Sequence, residues 1–275
     1  MLNNTVVLKF TSKLSDPRYA SLLDKAKYDF EVVSQKLNRA KVSLAMLQSC
    51  DFKKCVNRFS RGEFALIKIR STSLGIQGDI KFKSQKTYRN YVVGQFFCVL
   101  NEICSSADVL GGLLKESYLI ANPGYSFPTT YFQSVLGIIN ANANPSNLKT
   151  LLASEPSILD HLTFLPATPV TNIELADCHY SYILARKLRN LPEHNSYEDF
   201  ISFVASSDSV ALRGEPEYFA TISDKADVIL GFTDFWPRLS SNKNGSRDLC
   251  KFSEWILEQS ILCLEKVIDV CADDL

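Results

Sequence analysis

Apolar residues along most of this chain recur every three or four positions, the period of a helix with one buried face. Leu22, Leu23, Ala26, Phe30, Val33, Leu37, Leu44 and Leu47 carry that period to about Gln48. Asp16 followed by Pro17 opens the run, because the carboxylate accepts orphan amide bonds and proline gives up a donor that a first turn leaves without a partner. A broader stripe of Tyr88, Tyr91, Val92, Phe96, Val99, Leu100, Ile103, Ala107, Leu110, Leu114 and Tyr118 predicts a long helix from near Gln85. Gly111 and Gly112 weaken its middle by about 1 kcal/mol each relative to Ala, or let a neighbouring helix approach closely. Thr171 and Glu174 form a capping box ahead of Ala176, Tyr180, Ile183, Leu184 and Leu188, and Pro192 stops that helix near Leu191. The last helix opens at Ser246 or Asp248 and reaches about Cys271, with Leu249, Phe252, Trp255, Ile256, Leu262, Val267 and Val270 as its stripe.

Elsewhere the period fails. Phe64–Ile69 and Ile80–Phe82 flank glycines at 75 and 78, which predicts a small β hairpin or an irregular connection. Met1–Phe10 is compatible with a further strand. Residues 121–170 hold six prolines, which divide them into turns and short helices near 129–139 and 146–153. A second capping box, Ser196 with Asp199, leads into a short helical segment, Phe200–Ala205. The expected fold is mainly α: a helical bundle from about 17–48, 85–120, 172–191 and 246–271, with a small hairpin in the N-terminal third. Residues 1–84 form one region and 85–275 a helical domain carrying the 121–170 insert.

The hydrophobic share of 46% supports a sizeable core, and 30 basic residues balance 30 acidic ones. That balance supplies no global attraction to nucleic acid or to an anionic membrane, although a local basic patch is compatible with it. The first residues lack the layout of a signal peptide. The richest apolar stretch, Tyr91–Leu119, is interrupted by Asn101, Glu102, Asp108 and Lys115, so no membrane span is expected. Eight scattered cysteines without a CxxC read as buried thiols of a cytoplasmic protein rather than as disulfides or a zinc site. Asp273 and Asp274 read as a solvated terminus.

Phosphate-loop, dinucleotide, HExxH and GxSxG motifs are all absent. Three histidines remain. His161 and His179 read as structural or surface residues, since Asp177, Cys178 and His179 are consecutive and diverge around a helix. His194 follows the basic run Arg186, Lys187 and Arg189 at a helix end, where cations also cap the helix dipole. The segment Arg189-Asn190-Leu-Pro-Glu-His194 resembles the arginine–histidine signature of the HEPN (higher-eukaryote and prokaryote nucleotide-binding) superfamily. An earlier long helix with an embedded acid, Phe96–Asp108, and a later closing helix from Asp248 suit the same resemblance, which spans roughly 85–275. Pro192 and the long insert depart from the usual pattern.

The resemblance implies one of two functions. One is a metal-independent endoribonuclease without cofactor, acting as a homodimer. In it His194 and Arg189 are catalytic, Asn190 positions them, and Arg186 and Lys187 help hold RNA. The other is a non-catalytic binding or dimerisation module of a bacterial stress, toxin or antiphage system. The aromatic-rich stretch Tyr88–Phe97 adds a reason to expect self-association. A cognate protein partner is not legible.

Overall fold

The computed structural model describes residues 2–142, Tyr182, Ala185, Arg186, 188–190, 201–206, 217–222 and 249–275. Among these the elements run α1 (Asn4–Lys13), α2 (Ala20–Gln48), α3 (Phe52–Ser60), β1 (Ala65–Ser71), β2 (Ile76–Phe82), α4 (Gln85–Ala121) and α5 (Phe132–Asn142). β3 (Ile201–Ser206), β4 (Glu217–Ile222) and α6 (Leu249–Asp274) follow. Tyr182, Ala185, Arg186 and 188–190 are helical. The protein is mainly helical with a small antiparallel hairpin in its N-terminal third.

The core is the contact of α2 with α4, flanked by α6, α5 and α1. Leu22, Ala26, Phe30, Val33, Leu37, Ala40, Leu44 and Leu47 bury one face of α2, at the spacing its sequence predicts. Polar side chains along the rim of the same contact set its register. Lys25 Nζ pairs with Glu116 at 2.8 Å, Lys36 Nζ donates to Ser105 Oγ at 3.0 Å, and Arg39 grips both carboxylate oxygens of Glu102 at 2.7 and 3.1 Å. The steps between these pairs are equal and opposite on the two helices, as antiparallel axes require. Eleven residues make just over three whole turns, so the seam runs nearly straight along the pair. Each surface pair contributes little stability, but a slipped register loses all three at once.

α4 is apolar enough, with a mean hydropathy of 1.4 over its richest part, and long enough to cross a membrane. Its apolar side chains are nonetheless the centre of this core: Tyr88, Val92, Phe96, Leu100, Ile103, Ala107, Leu110 and Leu114 are all buried. Tyr88, Phe96 and Phe97 pack inside the chain, so the aromatic stretch that suggested self-association is already used. Ser84 caps the helix by accepting from the Thr87 amide at 3.2 Å. Gly111 permits a close approach: a β-carbon there would lie 2.5 Å from the Thr130 carbonyl oxygen and 2.7 Å from Phe132 Cα, while one at Gly112 meets nothing within 4 Å.

β1 and β2 pair antiparallel, from Ala65 opposite Phe82 to Ser71 opposite Ile76. Gly75, at φ 63°, closes the turn. Ala65, Ile67 and Ile69 face the core, whereas Leu66, Lys68 and Arg70 face out.

Four expectations are corrected. Residues 4–13 are helix rather than strand, because Asn3 caps them, accepting from the Thr5 amide at 2.9 Å, Phe10 is buried against Phe30 of α2, and α1 packs on α6. Two valines next to one another favour a strand only while nothing offers a helical face a partner. Residues 201–206 are a strand paired with 217–222 rather than a helix, so the partner strand outweighs the local capping box. Leu262 on α6 is exposed. Asp273 and Asp274 are not merely solvated: Lys9 Nζ reaches Asp269 and Asp273 at 2.8 Å each, and the Tyr118 hydroxyl donates to Asp274 at 2.8 Å. Helix α3, set by the Asp51 cap on the Lys54 amide, was not anticipated. The expected 146–153 helix lies outside the described residues, as does the opening of the 172–191 helix.

The two neighbouring glycines of α4 should respond oppositely to alanine. Gly111→Ala pushes backbone against backbone and is expected to cost about 1–3 kcal/mol. Gly112→Ala is expected to add up to about 1 kcal/mol of helix stability. Urea midpoints of both variants check the pair.

Candidate functional site

An aspartate sits far along α4, on the side that faces α5 and the Arg186 helix. Asp108 Oδ1 accepts from the Phe132 amide at 3.2 Å and from Arg186 Nη1 at 3.4 Å. Phe132 is the first residue of α5, so this carboxylate from another helix satisfies an orphan amide there and adds negative charge at the helix's positive end. Gly111 is one turn along α4 from Asp108, on the same face, where the missing side chain leaves room for the chain entering α5.

Arg186 completes the cluster. Its Nη1 donates to the Tyr182 hydroxyl at 3.1 Å, and its guanidinium lies over the Tyr131 ring, 5.2 Å from the centroid. Phe132 and Tyr182 meet edge-on at 5.2 Å. The Arg186 side chain is 14% exposed. Burial works against its charge, but Tyr182, Asp108 and Cys104 outweigh this and hold its pKa above the ordinary value. Burial likewise pushes the Tyr182 hydroxyl up.

One turn beyond Arg186, Arg189 is half-buried, and its Nε donates to Asn190 Oδ1 at 3.1 Å. That bond engages the inner nitrogen of the guanidinium. Arg186 is thus turned to Asp108 and Tyr182 and Arg189 to Asn190, and both guanidinium groups are felt by the Cys104 thiol. Lys187, His194, His161 and His179 lie outside the described residues. Asp108 was legible in the sequence as an acid embedded in an apolar helix. Tyr131, Tyr182 and the Arg186 bond were not, because their encounter is set by the packing of separate helices.

Thiols are the other candidate nucleophiles. Burial pushes Cys50, Cys104 and Cys271 up to about 12, against the opposing pull of Arg189 and Arg186 at Cys104 and of a tyrosine hydroxyl at the other two. They are neutral at pH 7 and unsuited to attack. Cys98 is exposed. No disulfide joins the described cysteines, and Cys178 lies outside them. Among the described residues no three His, Cys, Asp or Glu side chains gather as a metal site.

No family model, curated protein or solved structure matches this chain.

Asp108→Ala removes an ion-pair partner and a helix cap together and is expected to cost about 2–4 kcal/mol. Asp108→Asn keeps an acceptor for the Phe132 amide and should cost less. Denaturation midpoints of the two variants check this order. The raised thiols give a separate, alkaline prediction. An unfolded thiol ionises near its ordinary 9.0, while these three stay neutral to about 12. The folded state therefore keeps its full advantage below about pH 9 and loses it as pH rises from there toward 12. Melting temperatures across that range should fall, and iodoacetamide at pH 8 should label Cys98 before Cys50, Cys104 or Cys271.

Proposed function

We propose that this chain is a HEPN-like endoribonuclease that cleaves RNA without a metal, using Arg189 and His194. The observation that supports the reading is the anchored arginine. Asp108 and Tyr182 fix the helix through Arg186, and Asn190 holds the Nε of Arg189 so that its outer nitrogens meet a phosphoryl group as a planar fork. Such a preset cation stabilises charge as it develops on the phosphoryl oxygens, with little reorganisation at the moment of reaction. In this reading Arg186 acts as the positioning residue and Lys187 adds charge for the substrate.

The reaction is an in-line transfer. His194 takes the proton of an RNA 2′-hydroxyl, a bond forms between the 2′-oxygen and phosphorus, and the bond from phosphorus to the 5′-oxygen breaks. The departing 5′-oxygen takes a proton from an imidazolium on the opposite side. The products are a 2′,3′-cyclic phosphate and a free 5′-hydroxyl. Base and acid must stand on opposite sides of the phosphorus, so a twofold cleft between two copies, each bringing one His194, suits the step. One imidazole is then neutral and the other protonated, which places the best rate near the ordinary imidazole pKa of about 6.5.

Purified protein incubated with mixed single-stranded RNAs in EDTA is expected to leave 2′,3′-cyclic phosphate ends, with a bell-shaped pH profile. Arg189→Ala and His194→Ala should each abolish cleavage. Residual cleavage equal in all three proteins, or none in any, would sink the enzyme and leave a binding or dimerisation module as the reading.

A further inference from the structure

Charge is segregated in this neutral chain. Residues 51–89 contain ten of the 30 basic side chains and three of the 30 acidic ones. This stretch is α3, the β1–β2 hairpin and the first turn of α4, and α3 and the hairpin share one depression. Lys54 and Arg61 on and after α3, Lys68 and Arg70 on β1, Lys81 on β2, and Lys83, Lys86 and Arg89 toward α4 are all exposed. Strand periodicity puts Lys68 and Arg70 on one face of β1, about 7 Å apart, with Lys81 on the adjoining strand, opposite Leu66. Asp79, opposite Lys68 on the same face, is the one acid among them, and the cations around it form a track rather than a single spot.

An apolar floor lies beside that track. A shallow open depression of about 590 Å³ is lined by Arg58, Gly62, Glu63, Phe64, Leu66 and Lys81. Phe64 is 49% exposed and Leu66 40%. Their exposure is built in. Helix α3 ends in a paired turn, with the Gly62 amide donating to the Phe59 carbonyl at 3.0 Å and the Glu63 amide to the Arg58 carbonyl at 2.9 Å. Gly62 adopts φ 72°, which turns the chain sharply into β1. Arg58 Nη1 then donates to the Phe64 carbonyl at 3.3 Å, and its Nε lies 3.9 Å from Glu63, so the one acid in the depression is engaged by an arginine. Lys81 Nζ lies over one face of the Phe64 ring, 3.8 Å from its centroid, so a base stacks on the other face or takes the place of the ammonium.

We propose that this surface binds single-stranded RNA, with phosphates along the basic track and a base on the Phe64–Leu66 floor. An exposed aromatic bordered by cations suits an unpaired nucleotide, which offers a stacking face and a charge together. Anionic lipid would use the charges and has no need of the shaped floor, and an acidic peptide would leave the aromatic idle. The choice of RNA over DNA rests on the reaction proposed for Arg189 and His194. Along α4 the track lies roughly 30 Å from Asp108, so it holds the strand away from the reacting phosphate.

The test is fluorescence anisotropy of a labelled short RNA with the full-length His194→Ala protein, which binds without cutting, at several salt concentrations. Lys68→Glu, Arg70→Glu and Lys81→Glu together are expected to weaken binding on the order of tenfold or more and to reduce the slope of log affinity against log salt by roughly 2. Phe64→Ala should weaken it roughly five- to tenfold with the slope unchanged. Circular dichroism confirms that the variants, all at exposed positions, are folded. Absence of RNA binding, RNA binding undiminished in the triple variant, or tighter binding to DNA, phosphatidylserine vesicles or polyglutamate overturns the proposal. If wild-type protein binds RNA here but does not cut it, only the nuclease reading falls. If it cuts RNA while the triple variant binds as tightly as wild type, only this inference falls.

Discussion

The structure turns on one carboxylate. Asp108 is an acid in the long, largely buried helix α4, where an unanswered charge would be costly. Its partners are the first amide of α5 and the Arg186 guanidinium, each brought by a different segment. Three elements are thereby fixed relative to one another at one point. Gly111 belongs to the same device, since the α5 amide reaches Asp108 only if the chain entering that helix lies almost on the α4 backbone. The half-buried Arg189 inherits its position from this junction, one helical turn away.

Electrostatics elsewhere divides into two kinds. Along α2 and α4 the charges are paired in register and specify alignment. Around the hairpin cations outnumber acids by ten to three, which destabilises the compact state slightly and attracts anions. A net charge of zero conceals this division, and a binding surface inferred from the total alone would be missed.

The sequence was informative where burial follows from periodicity. The α2 stripe, the long run from Gln85, the hairpin around Gly75 and the closing helix were legible, because one face of each element is simply apolar. It was misleading where a distant partner decides. Residues 4–13 are helical because α1 packs along α6 and Phe10 buries against Phe30 of α2, and 201–206 are extended because 217–222 pairs with them. Neither partner is a neighbour in the chain. At the candidate site, the sequence singles out Arg189 and Asn190 by their spacing to His194, and the structure adds that they bond to one another. The cluster around Asp108 is tertiary throughout: Tyr131, Tyr182 and Arg186 converge only after helices pack. The basic surface was legible in principle as a local excess of Lys and Arg, but its floor of Phe64 and Leu66 depends on the turn after α3.

Lys9 and Asp269 are 260 positions apart, yet their side chains meet at 2.8 Å, and Phe10 is fully buried in the same neighbourhood. A ribosome adding about 5–20 residues per second needs roughly 13–50 s to cover that interval. Throughout that time α1 has emerged without the helix it finally packs against. The α2–α4 pair can assemble much earlier, because its whole contact is complete by residue 121. Birth of this protein is therefore asymmetric: a finished central pair waits with an uncovered first helix, which a chaperone must shield or the nascent chain must tolerate until α6 arrives.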